Sequence, residues 1–154
     1  MELVESFFDS AKGVFKRPDD RARAECILTR WAAAWQGPNR NLIRTSSNHG
    51  AYLHFNQLIG GIWCKAFSFR AAPRQGLSLR GPDTDRIRKS HKLRANRLDP
   101  KPLDSLFKAW SLHPEARPAG NAVELFMDEA HDDVWEMFLR EALSCLDDSR
   151  IEAL

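Results

Sequence analysis

Cysteine is scarce in this chain and tyrosine nearly missing, with three of the first and one of the second in 154 residues. Cys26, Cys64 and Cys145 lie too far apart to form a CxxC pair, which excludes a zinc module or a disulfide scaffold and fits thiols in a reducing compartment. No run approaches the roughly 20 apolar residues that a membrane span needs. The opening MELVESFFDS carries acid where a secretory signal carries basic residues, so a cytoplasmic protein is expected. A Gly-x4-Gly-Lys-Ser/Thr loop and a Gly-x-Ser-x-Gly elbow are both missing, which removes P-loop nucleotide hydrolysis and the usual serine-hydrolase turn. No internal repeat appears. At this length a single domain over 1–154 with one core is expected.

What the chain does have is segregated charge. The formal net charge is only +2. Residues 65–101 nonetheless hold eleven Lys or Arg against Asp83, Asp85 and Asp99, while residues 102–154 hold four basic and twelve acidic residues. A cationic middle and an anionic tail set up a field that a mixed surface would not.

Apolar spacing reads mainly as helix. Residues 3–15 and 20–36 each repeat apolar positions at three- and four-residue intervals, with Arg17-Pro18 between them as the break. The Asn-, Ser- and Gly-rich stretch 38–50 reads as a loop. Tyr52, Phe55, Leu58, Ile59, Ile62, Trp63, Ala66 and Phe67 predict a central buried helix over 51–66, with a strand as the rival because Gly60 and Gly61 lie inside it. Phe67-Ser68-Phe69-Arg70 and Leu77-Ser78-Leu79-Arg80 alternate apolar and polar, the pattern of a short β-hairpin near 67–80 with Arg70 and Arg80 on its wet side. Further helices are expected over 84–98, about 102–112 and 121–147, the last entered through Asn121 and Glu124 as a capping box. The expected fold is mainly α, an irregular bundle of about six helices.

On the 84–98 helix, Ile87, His91, Ala95 and Leu98 would face the core. Arg86, Arg88, Lys89, Lys92 and Arg97 would then face or flank solvent. Together with Arg70, Arg74 and Arg80 they form the candidate nucleic-acid-binding surface, directed at sugar-phosphate backbone. Periodicity assigns Trp63, Phe67 and Phe69 to the core rather than to base stacking. The acidic last helix offers Glu124, Asp128, His131 and Asp132 to a protein partner or to a second copy of the chain, since opposed charge suits head-to-tail association. Asp128 and His131 at i,i+3 are half of a carboxylate-bridged metal site, but the other half is missing, so no metal and no cofactor is expected. Val123 to His131 is superficially similar to a helicase DEAH box, which the missing phosphate loop rules out.

Arg86-Ile-Arg-Lys-Ser-His91 has the Arg-x4-His spacing of metal-independent RNases of the HEPN type, which it resembles in that motif alone. The resemblance implies an all-helical RNase with His91 as general acid/base beside Arg86. Ile87 stands where that family carries a polar residue, and Arg44-x4-His49 repeats the spacing. In size and charge the chain is also similar to the small helical subunits that line nucleoprotein grooves in CRISPR effector complexes. The leading expectation is a helical, non-enzymatic nucleic-acid-binding accessory subunit within a larger complex or oligomer. The alternatives are an immunity- or adaptor-like protein-interaction module using the acidic helix, and the HEPN-like RNase.

Overall fold

A computed structural model describes residues 2–73, 76–83, 101–147 and 151. Among these the fold is α+β, not a mainly-α bundle. Two helices, α1 (Glu2–Ser10) and α2 (Pro18–Ala34), precede four strands, β1 (Arg40–Ser47), β2 (Gly50–Ile59), β3 (Ile62–Ala72) and β4 (Gly76–Gly81). Then follow α3 (Lys101–Ser111), β5 (Arg117–Ala119), β6 (Ala122–Phe126) and α4 (Asp132–Cys145). The strands form one antiparallel sheet in the order β1-β2-β3-β4-β6-β5.

The expected helix over 51–66 is the β2–β3 hairpin. Gly60 and Gly61 have φ of 57° and 81°, the left-handed pair that a two-residue hairpin turn requires, with Ile59 opposite Ile62 as its closing pair. The helical spacing arose because both faces of β2 carry apolar residues. Ala51, Leu53, Phe55 and Ile59 are buried at period two, while Tyr52 and Leu58 lie half-buried on the other face. The stretch 38–50, read as a loop, contains edge strand β1. The expected helix over 121–147 is strand β6, a turn, and the shorter α4. Gly120, at φ 64°, and Asn121 turn β5 into β6 where a capping box had been read. Val123 and Leu125 then bury alternately. The expected helix over 84–98, with its inward His91, lies outside the described residues.

The core sits between one sheet face and the helices. Trp31 of α2 is its centre, with ring centroids 5.1–6.4 Å from Phe55, Phe67, Phe69, Trp110 and Trp135. Most of these contacts are edge-on, the geometry that aromatic quadrupoles favour. Trp35 donates its indole N–H to the Asn56 carbonyl at 3.2 Å, and Trp110 donates to the Phe138 carbonyl at 3.0 Å. These two indole N–H groups have acceptors, whereas that of Trp135 is buried without one among the described residues. A bulge between Phe55 and Asn56 sets Ala66 beside Phe67 on β3, and both are fully buried. No described helix is long and apolar enough to cross a membrane, and no disulfide joins the cysteines.

Candidate nucleic-acid interface

Helices cover one face of the sheet. The other face is polar, and strand register arranges its side chains in two cross-strand ranks. One runs Thr45, Tyr52, Arg70, Ser78, Phe126 over β1, β2, β3, β4 and β6. The second runs Ile43, His54, Ser68, Arg80, Glu124, Arg117 and reaches β5. The alternation in Phe67-Ser68-Phe69-Arg70 and Leu77-Ser78-Leu79-Arg80 drives this. It sends the apolar residues into the core and both arginines to the opposite face, where Ser68 and Ser78 are buried, Arg70 is half-buried and Arg80 is exposed.

Arg70 and Arg80, two of the residues expected to contact phosphate, thus share one face of neighbouring strands. The Arg70 guanidinium lies 5.7 Å from the Tyr52 ring and donates to the His49 carbonyl at 2.8 Å. Arg80 is 55% exposed, with its Nε 4.0 Å from Glu124 Oε1. Tyr52 stacks on His54, with centroids 5.9 Å apart and planes 12° apart. Trp63, assigned to the core from the sequence, is 46% exposed at the turn end of β3, whereas Phe67 and Phe69 are buried. Arg74, Arg86, Arg88, Lys89, Lys92 and Arg97 lie outside the described residues.

A chain of hydrogen bonds crosses this face. His54 shares one with Ser68 Oγ at 2.6 Å through Nδ1 and another with Thr45 Oγ1 at 2.8 Å through Nε2. Burial, reinforced by the Lys65 charge, lowers the His54 pKa from 6.5 to about 4, so the imidazole is neutral at pH 7. A serine beside a neutral histidine is the start of a nucleophilic pair. Here, however, the orienting third group is a threonine rather than a carboxylate. Ser68 also lies in β3, between β2 and β4, where the main-chain N–H groups serve the ladders and do not converge on an oxyanion position. The contact ties three strands together.

The partner-binding residues expected on the last helix are spread over three local structures. Glu124 is on β6, Asp128 is in the following turn, His131 is the N-cap of α4, and Asp132 begins that helix. Arg23 of α2 clasps this turn. It donates Nε to Asp132 at 2.9 Å and its two terminal nitrogens to the carbonyls of Met127 and Ala130, each at 2.7 Å. The clasp floors an open depression of about 290 Å³ bounded by Asp128 to Asp132. His131 pairs through Nδ1 with Glu115, and that hydrogen bond and charge raise its pKa. Sequence periodicity gave no sign of this clasp, because Arg23 and Asp132 are 109 residues apart. Among the described residues no group of three or more His, Cys, Asp or Glu is placed to hold a metal ion.

Among the described residues, several carboxylates of the tail pair outside the basic middle. Besides Asp132, Glu136 pairs with Arg30 at 2.8 Å, Glu141 with His113 at 3.0 Å, and Glu129 with Arg117. Among the described pairs only Arg80–Glu124 joins the 65–101 segment to the tail. The second Arg-x4-His copy lies on the β1–β2 hairpin, where Arg44 donates to Ser10 Oγ at 2.6 Å. Arg86 and His91 lie outside the described residues. Protein-family models, curated proteins and solved structures give no match to this chain.

Proposed function

We propose that the protein is a non-catalytic, cytoplasmic subunit that binds single-stranded nucleic acid on the polar sheet face, holding its sugar-phosphate backbone within a larger complex or oligomer. The observation that carries this reading is the placement of Arg70 and Arg80 on one outward face beside the stacked Tyr52 and His54. A cationic sheet face with planar side chains suits a strand whose phosphates need countercharge and whose bases need a surface to stack on. Trp63 extends the planar surface at one end. The sequence from 84 to 98, which follows β4, adds Arg86, Arg88, Lys89, Lys92, Arg94 and Arg97 to the chain's positive charge. The alternative use of Glu124, Asp128, His131 and Asp132 as a partner site has less support, since Asp132 and His131 already pair within the molecule.

Fluorescence anisotropy with a labelled single strand of about 16 nucleotides tests the proposal. The double variant Arg70→Ala/Arg80→Ala is expected to bind about tenfold or more weakly, since each charge-assisted contact contributes about 1.5 kcal/mol or more. Unchanged affinity in a variant with native circular dichroism rejects this face as the binding surface.

A further inference from the structure

We infer that two copies of the chain associate through β1, joining their sheets edge to edge in an antiparallel pair centred on Ile43. β1 is an outer strand of eight residues without proline, charged at Arg40 and Arg44 but with the exposed, uncharged Ile43 at its centre. The opposite edge, β5, has three residues and contains Pro118.

Register fixes which main-chain groups β1 leaves open. Leu58 donates its N–H to the Asn39 carbonyl at 2.8 Å, so the pair 39–58 is hydrogen-bonded and alternate residues follow suit. Asn41, Ile43, Thr45 and Ser47 therefore turn their N–H and C=O groups toward β2. Leu42, Arg44 and Ser46 turn theirs outward, as Arg40 does its carbonyl, the Arg40 N–H being bonded to Gly37 at 3.3 Å.

A second copy suits these outward groups because the same pairing sets the exposed Ile43 against an apolar counterpart, its own. A two-fold axis at Ile43 sets Leu42 of each copy against Arg44 of the other, and Arg40 against Ser46. Both Leu42–Arg44 pairs exchange two hydrogen bonds, and the Ser46 N–H of each copy donates to the opposite Arg40 carbonyl. Ile43 is 47% exposed and meets its own counterpart at a non-hydrogen-bonded site, where side chains approach most closely. A two-fold axis at Arg44 would instead oppose two like charges directly, which disfavours that register. The contact is small, so a weak, concentration-dependent dimer is expected.

Sedimentation velocity of the whole protein over a range of concentrations, at high salt and without nucleic acid, reads the association apart from strand binding. Wild type is expected to shift from monomer to dimer as concentration rises. Arg44→Pro removes an outward N–H without touching the β1–β2 ladder, and Ile43→Lys brings like charges together at the axis. Each is expected to weaken dimerisation at least tenfold with circular dichroism unchanged. In a Cys26→Ser background, Ile43→Cys is expected to cross-link under mild oxidation, since Cα atoms at such a site lie within disulfide range. Ser47→Cys, far from its counterpart in this register, is not. Wild type that stays monomeric at every concentration, a dimer indifferent to both edge variants, or equal cross-linking at the two positions overturns the proposal.

Discussion

Trp31 and His54 show how single residues are set by opposite faces of the same sheet. Trp31 is fully buried among five aromatic rings, and no smaller side chain fills that volume. Trp31→Ala is expected to lower unfolding free energy by about 3–5 kcal/mol, read from the urea midpoint. Gly81 has a different constraint, because a Cβ there would stand 2.4 Å from Phe67 Cβ and 2.9 Å from its Cα. Gly81→Ala should therefore destabilise through displacement of β3, with a lower thermal midpoint as the measure. For His54 the folded pKa is depressed from 6.5 to about 4, so between these values the unfolded chain binds more protons. Its contribution to stability is present above pH 6.5 and is lost as pH falls toward 4. His54→Gln should flatten that part of the stability–pH curve, and a difference from wild type that is constant between pH 7 and 4 would contradict the assignment.

At the scale of elements, the helices were legible wherever one face alone is buried. α2 and α3 hold Ala24, Ile27, Leu28 and Trp31, and Leu103, Leu106 and Trp110, at helical intervals against the core. The hairpin near 67–80 was legible from its alternating tetrads and is the β3–β4 pair; the other strands were hidden because period two was overlaid by apolar residues on the polar face and by the bulge after Phe55. β6 was hidden because Val123, Phe126, Met127 and Ala130 imitate helical spacing across a strand and a turn. The usable signals were the dipeptides Gly60-Gly61 and Gly120-Asn121, each of hairpin type. Arg70 and Arg80 were legible as a pair because each closes an alternating tetrad. The Arg23 clasp was not, since nothing local marks a contact across the chain. Arg23→Met should leave two carbonyls and Asp132 without their donor, at a cost of about 1–3 kcal/mol in urea unfolding. Loss of protection should appear in the amide hydrogen exchange of residues 127–132, and unchanged exchange there would contradict the clasp.

At the scale of the molecule, among the described residues, carboxylates of the tail pair with Arg23 and Arg30 on the helical side, while Arg70, Arg80 and Glu124 lie on the opposite sheet face. Glu124 lies 4.0 Å from Arg80, and Glu124→Gln is expected to tighten strand binding, measured by anisotropy. Phosphate recognition has a signature that no contact list replaces, the release of counterions on binding. The most direct test is therefore the affinity for a single strand measured across a salt series. If about five to eight phosphates are neutralised, log affinity should fall against log salt with a slope of about −3.5 to −5.6, and Arg70→Ala/Arg80→Ala should make the slope shallower by about 1.4. A slope near zero, or no binding at low salt, would contradict the account.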